Sequence, residues 1–225
     1  MLIIDKYIPF VKETIGQTVL PDWQQVQVSA LEPEEITPQA VRNADALMVR
    51  TRTKINRELL EGSSVRLVAT ATIGYDHIDQ DYCRKTGIAW LSCPGCNAQA
   101  VCDYVEEALL EQKIPLNAKK IGIVGVGHVG TLVAQMAERY GMQVLLNDPP
   151  RNIGVSLDEI AHSCDVITFH TPLTRDGQYP TYHLCDETFL QQCKPDALII
   201  NAARGGIVDE MALLRTKHPC VIDTW

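Results

Sequence analysis

The run Lys120-Ile121-Gly122-Ile123-Val124 breaks into Gly125-Val126-Gly127-His128-Val129-Gly130 and then continues at helical spacing; no other stretch constrains the fold as strongly. The residues before Gly125 are apolar and β-favouring, as a buried parallel strand requires. Val129, Leu132, Val133, Met136, Ala137 and Tyr140 follow with polar residues between them, and Gly141 closes the helix. A second apolar run, Gln143 to Asn147, ends on Asp148, about twenty residues beyond the glycines. Each glycine has a mechanical reason. Gly125 permits a tight turn, Gly127 lets backbone approach a pyrophosphate, and Gly130 lets helix and strand pack closely. The free N–H groups and positive dipole end at this helix start favour an anion. Strand, glycine loop, helix and acidic residue together predict a dinucleotide site. A carboxylate at Asp148 would bond both ribose hydroxyls and repel a 2′-phosphate, which favours NAD; Arg151 nearby leaves NADP as the alternative.

The chain of 225 residues has room for one large or two modest domains. A net charge of −8 argues against a nucleic-acid surface, so anionic ligands must be held by local arginines and helix ends. No apolar run approaches the roughly 18 residues that would span a bilayer, and the N-terminus has no basic-then-apolar signal segment. A cytoplasmic protein is therefore expected. The eight cysteines lie scattered in apolar or helical contexts and read as reduced core residues. Cys93-Pro94-Gly95-Cys96 is the one pair at redox or metal spacing, and without a second pair no metal site is expected.

Apolar runs alternate with helical patterns along the whole chain. Strands are expected at Leu2 to Ile4, Val26 to Val28, Ala46 to Val49, Leu67 to Thr70 and Ile88 to Leu91. Helices fall between them: one after Pro9 carrying Phe10, Val11 and Ile15, then helices opening at Thr37, Asn56 and Asp79. Asn97 is expected to cap a long helix to about Gln112 that bridges two domains. Helix Ser156 to Ser163, strand Val166 to Phe169, helix Asp186 to Cys193, strand Ala197 to Ile200, helix Asp209 to Arg215 and strand Val221-Ile222 complete the series. The reading is α/β: two doubly wound parallel-sheet domains, flavodoxin-like and substrate-binding over 1–96, Rossmann-like and NAD-binding over 97–225. A last strand running into Asp223-Thr224-Trp225 is expected to feed further chain.

In open α/β sheets ligands bind beyond the carboxyl ends of strands, so polar residues just after each apolar run are the candidates. Arg50, Arg52 and Lys54 surround Thr51 and Thr53, and such a loop either holds a carboxylate or phosphate or is simply solvated. Thr72, before Gly74, is a ligand contact or a turn residue. Arg204 follows an apolar strand between Ala203 and Gly205, where a fixed guanidinium suits a 2-hydroxy or 2-oxo carboxylate and can polarise a carbonyl oxygen. Asp223 is a nicotinamide contact or a loop cap. Oxidising an alcohol also needs a base for the hydroxyl proton. Among the histidines, His77, His162, His183 and His218 read as surface or packing residues, His128 matters through its backbone, and His170 opens the Thr171-Pro172 loop; none is a convincing base.

These segments, with Thr168-Phe169-His170-Thr171-Pro172-Leu173 and Asn201-Ala202-Ala203-Arg204-Gly205, resemble in order the D-isomer-specific 2-hydroxyacid dehydrogenases. The resemblance runs from residue 2 to the C-terminus. It implies an NAD-dependent oxidoreductase acting on a small phosphorylated 2-hydroxy acid, as a homodimer when full-length. It makes Arg204 the catalytic arginine, Thr51 and Thr72 substrate contacts, and Asp148, Thr171, Ala203 and Asp223 contacts to NAD alongside the loop backbone of His128 and Val129. The family pattern has serine at Thr51, and the hydroxyl survives. The family's catalytic glutamate, its proton-carrying histidine and its dimerisation segment are expected beyond Trp225, so the chain alone should bind NAD weakly and turn over little. Oxidation of a different 2-hydroxy acid, such as 3-phosphoglycerate, is the alternative within the family. A non-catalytic NAD-binding module is the alternative outside it, against which Arg204 argues.

Overall fold

The computed structural model describes residues 1–9, 26–113 and 115–224, so the helix expected after Pro9 lies outside the described residues. The chain divides into two compact units, Met1–Pro94 and Gly95–Trp225.

In the first unit, strands β1 (Leu2–Asp5), β2 (Val28–Leu31), β3 (Ala46–Val49), β4 (Leu67–Thr70) and β5 (Ala89–Leu91) form one sheet in the order β2-β1-β3-β4-β5. Every pairing is parallel. β1 is buried along its whole length, and the alternately buried β3 and β4 set Leu47, Val49 and Val68 into a core with Val41, Leu59, Leu60 and Cys83. The helices start where the sequence supplies a cap. Thr37 Oγ1, Asn56 Oδ1 and Asp79 Oδ1 each accept a backbone N–H at the heads of α1 (Pro38–Val41), α2 (Arg57–Leu60) and α3 (Gln80–Thr86). The one displaced strand is β2, expected to start at Val26. It is alternately exposed and pairs from Val28 onward, so its edge position left little apolar signal.

In the second unit, β6 (Lys120–Val124), β7 (Gln143–Asp148), β8 (Ile153–Gly154), β9 (Val166–Phe169), β10 (Leu198–Asn201) and β11 (Cys220–Ile222) form a sheet in the order β11-β10-β9-β6-β7-β8. Alternate residues of each strand face opposite layers. Ile121, Ile123, Leu198 and Ile200 pack with α4 (Ala98–Glu111) and α5 (His128–Arg139). Val124, Ile167, Phe169 and Ile199 pack with α6 (Leu157–Ser163), α7 (Glu187–Gln192) and α8 (Glu210–Thr216). This is the doubly wound arrangement. α4, expected as a bridge, buries Cys102, Val105 and Leu109 in the core of this unit. Asn97 precedes it without a side-chain capping bond, because its backbone is not in the extended conformation from which a capping oxygen reaches the first turn.

One departure from the all-parallel expectation is β8, which returns antiparallel on β7, pairing Asn147 with Gly154 and Asp148 with Ile153. The double proline after Asp148 forms a single 3-10 turn that reverses the chain, and Asn147 Nδ2 donates to Val155 O at 2.7 Å across it.

Candidate functional site

In the second sheet the strand order reverses between β6 and β9, and at such a switch point the loops after the two strands open a crevice. The glycine loop follows β6; His170-Thr171-Pro172 follows β9. They are in contact. Gly125 has φ +94°, which a side chain would strain, and a Cβ there would lie 2.8 Å from the His170 carbonyl carbon and 2.9 Å from Thr171 Cγ2. Gly127 has no atom within 4 Å of where a Cβ would be, so its backbone borders open space. Gly130 is closed on the opposite side: a Cβ would sit 2.0 Å from Gly125 O.

The loops line a cavity of about 970 Å³ whose walls include Gly125, Gly127, Asp148, Pro149, Thr171 and Tyr179. Asp148 Oδ2 accepts the Val126 N–H at 2.9 Å, which fixes the carboxylate expected to bond the ribose hydroxyls against the glycine loop. Arg151 leans over the same loop, donating through Nη1 to Val126 O at 2.6 Å with Nε 3.8 Å from Asp148 Oδ2. Thr171 Oγ1 is buried and has no hydrogen-bond partner. A buried hydroxyl left without a partner costs free energy, and one bordering a cavity is ready to bond a ligand. Open backbone at Gly127, the orphan hydroxyl of Thr171 and the carboxylate of Asp148 fit a dinucleotide carrying anionic phosphates and ribose hydroxyls.

His170 also lines this cavity, its Nε2 3.0 Å from Thr168 Oγ1. Burial lowers its pKa from 6.5 to about 4. An imidazole that stays neutral and so weakly basic is a poor proton acceptor at neutral pH. The shift bears on stability. As pH falls, the unfolded chain takes up this proton first, so the contribution is whole above about 6.5 and is lost as pH falls toward about 4. Urea unfolding at the two ends of that window is expected to show a steeper acid loss for the unchanged protein than for His170→Gln; equal slopes would contradict it.

The segment after β10 carries Arg204. Its guanidinium donates through Nη1 to Ala203 O at 2.8 Å. The Asn201 side chain bonds both Ala203 N and Arg204 O, at 3.1 and 2.8 Å. Asp223, exposed after β11, donates its N–H to Asn201 O at 2.9 Å. The structure thus brings Ala203, Arg204 and Asp223 together around one strand end, and Gly125 to Gly130 with Asp148 and Thr171 around another part of the same unit.

In the first unit, Arg50 lies beyond β3 at that sheet's own switch point. It forms a two-pronged ion pair with Asp5, Nε to Oδ2 at 3.0 Å and Nη2 to Oδ1 at 3.4 Å. Asp5 is fully buried at the end of β1. This partner is not legible from sequence, since an acidic residue after an apolar run reads as a loop residue. Thr51, Arg52 and Lys54 are exposed. Thr72 Oγ1 lies 2.7 Å from Thr70 Oγ1 and donates to Gly74 O at 3.0 Å, which holds the turn after β4. Cys93 and Cys96 are both free and exposed. Among the described residues no helix is long and apolar enough to cross a membrane, and no group of three His, Cys, Asp or Glu is placed to hold a metal.

Residues 100–218 match the family described as D-isomer specific 2-hydroxyacid dehydrogenase, NAD binding domain, and the chain belongs to that family. Its cofactor is NAD and its chemistry that of an NAD-dependent 2-hydroxyacid dehydrogenase. Among curated relatives it is 45% identical over 239 residues to a protein of Bacteroides fragilis named erythronate-4-phosphate dehydrogenase, covering 100% of this chain and 67% of the relative. A Cronobacter sakazakii protein of the same name is 41% identical, with 61% of its length covered. The chain therefore spans about two thirds of the length of these relatives. Among solved structures it is similar to an NAD+-bound 3-phosphoglycerate dehydrogenase in Entamoeba histolytica, at TM-score 0.80 and 26% identity over 96% of this chain and 76% of that one. An Aquifex aeolicus D-lactate dehydrogenase complexed with NAD and lactic acid, at TM-score 0.78 and 23% identity, covers 96% of this chain and 73% of that one and shares the fold.

Proposed function

We propose that this chain carries the NAD-binding and substrate-binding residues of an enzyme that oxidises 4-phospho-D-erythronate to (R)-3-hydroxy-2-oxo-4-phosphooxybutanoate on the route to pyridoxal 5′-phosphate. The observation that carries the reading is identity of 40 to 45% along the whole chain with proteins named for that activity. Residues 1–96 are assigned to substrate and 97–225 to cofactor. NAD supplies the hydride acceptor. Gly125, Gly127, Gly130 and the backbone of His128 and Val129 take its phosphates, Asp148 its adenosine ribose, and Thr171, Ala203 and Asp223 the remainder. Arg204 binds the substrate carboxylate and draws electron density onto the C2 oxygen as the alcohol becomes a carbonyl. Thr51 and Thr72 bond substrate oxygens. Arg50, held by Asp5, presents a pre-set cation in the loop after β3. None of the described histidines is assigned as the base that removes the hydroxyl proton. A cytoplasmic homodimer belongs to the same reading, supported by the family resemblance.

The test is NADH formation by a protein of the relatives' full length that carries this chain, offered 4-phospho-D-erythronate and 3-phosphoglycerate in parallel. A higher kcat/KM for 4-phospho-D-erythronate is expected. The opposite preference would move the substrate to the 3-phosphoglycerate type. NADH binding without oxidation of any 2-hydroxy acid would leave only a cofactor-binding module.

A further inference from the structure

Strand β10 reads Leu198-Ile199-Ile200 and then places a polar residue, Asn201, with no exposed surface at all. Burying an amide is costly unless its donors and acceptor find partners, so a buried asparagine closing an apolar strand calls for a reason. Its side chain reaches forward over the next three residues. Oδ1 accepts the Ala203 N–H at 3.1 Å and Nδ2 donates to Arg204 O at 2.8 Å. The two partners fix the orientation of the amide: reversed, it would set donor against donor and acceptor against acceptor. On its backbone, Asn201 O accepts the Asp223 N–H at 2.9 Å. Just beyond the turn, Gly206 is closely packed: a Cβ there would lie 3.3 Å from Leu173 Cδ1 and from Tyr182 Cδ2.

We infer that Asn201 is the positioning residue for Arg204, its amide clamping the backbone on both sides of the Ala203–Arg204 peptide so that the guanidinium is presented to the substrate in one place. The inference rests on the proposed role of Arg204 as the carboxylate-binding and carbonyl-polarising group. A long side chain is only as well placed as the Cα from which it starts. Without the clamp, residues 202–204 have one fewer donor and acceptor to fix them at a strand end, and Arg204 can drift by the ångström that costs about 100-fold in rate.

Asn201→Asp separates positioning from mere support. The ionised carboxylate still accepts the Ala203 N–H but has nothing to donate to Arg204 O. Protonated, it regains an O–H donor and becomes a near copy of the amide, and burial favours that protonated form. Turnover of 4-phospho-D-erythronate, counted per NADH-binding site in a full-length protein carrying this chain, is expected to fall about 100-fold at about pH 8. Relative to the unchanged protein, it is expected to recover at least about tenfold by about pH 6, as protonation restores the donor. Counting per NADH site removes any loss of folded protein. Asn201→Leu, which keeps the strand apolar and lacks both groups, is expected to show the same loss with no recovery.

Arg204→Ala is measured alongside. If it is inactive while Asn201→Asp matches the unchanged protein per site at every pH, the positioning inference falls and the role of Arg204 stands. Full turnover by Arg204→Ala would overturn both. A deficit in Asn201→Asp that stays constant with pH also overturns the clamp, and this arm remains decisive even if Asn201→Leu does not fold.

Discussion

Gly130→Ala is expected to remove most of the protein's affinity for NADH and to lower its melting temperature. The added Cβ would lie 2.0 Å from Gly125 O and 3.1 Å from Gly125 C. Non-bonded heavy atoms settle near 3.5 Å, so the helix start and the first glycine must separate by roughly 1 Å or more. Gly125 has little freedom to yield. Its N–H is bonded to Asn147 O at 2.8 Å, and its α-carbon faces the His170 carbonyl. The movement therefore falls on α5, whose first N–H groups are the ones proposed to take the cofactor's phosphates. Overpacking of this kind costs about 1–3 kcal/mol in stability. Withdrawal of those groups by about 1 Å should weaken NADH binding by one to two orders of magnitude, on the scale that misplacement costs in general. Fluorescence titration with NADH and a thermal melt check both parts, and an alanine variant that binds and melts like the unchanged protein would refute the packing argument. Gly127→Ala is the internal contrast, since it meets no protein atom and any loss there belongs to the ligand's own approach.

Arg204→Ala is expected to lower kcat by about 10²- to 10³-fold, the usual effect of removing one preorganised donor from a developing oxyanion. NADH binding should survive, because the glycine loop, Asp148 and Thr171 belong to other segments of the unit. The guanidinium sits on a short turn between a buried strand and a 3-10 helix at Gly205–Ile207, so its removal leaves the core of Ile199, Ile207 and Val208 in place. Steady-state kinetics with NADH titration distinguishes the outcomes. Retained turnover would disprove the role, and simultaneous loss of cofactor binding would show that Arg204 supports the fold instead. Arg204→Lys keeps the charge but loses the planar fork, and is expected to recover only part of the rate.

The parts of the fold legible in the sequence are those whose physics is local. Short apolar runs such as Ile3-Ile4, Leu67 to Thr70 and Val166 to Phe169 announce buried parallel strands without any partner being known. Thr37, Asn56, Asp79, Ser156 and Asp186 announce helix starts because a capping side chain acts within three residues of itself. Asn97 shows the limit of that logic: its type suits a cap, but its backbone angles, φ −109° and ψ 11°, do not. β8 leaves no trace in the sequence because two residues carry no periodicity and its pairing depends on a turn made by Pro149 and Pro150.

At the site, the glycine spacing is readable, as is the placing of Asp148 and Arg204 after apolar runs. The long-range partners are not. Asp5 meets Arg50 across 45 positions in sequence, and Asp148 meets Val126 across 22. Each pairing exists only because the parallel sheet sets those strand ends side by side. Asn201 does leave a signal. An amide ending a fully apolar strand, just before an arginine and two glycines, has few reasons to be buried other than holding the turn that carries the arginine.

The two-residue return of β8 shapes what the sheet shows to its surroundings. A full-length strand would leave a long row of unpaired N–H and C=O groups along that border, a template on which another chain could dock. Here β8 pairs with only Asn147 and Asp148 of β7 and leaves Gln143 to Leu145 without a strand neighbour on that side, so the border another chain would meet is short and divided between two strands.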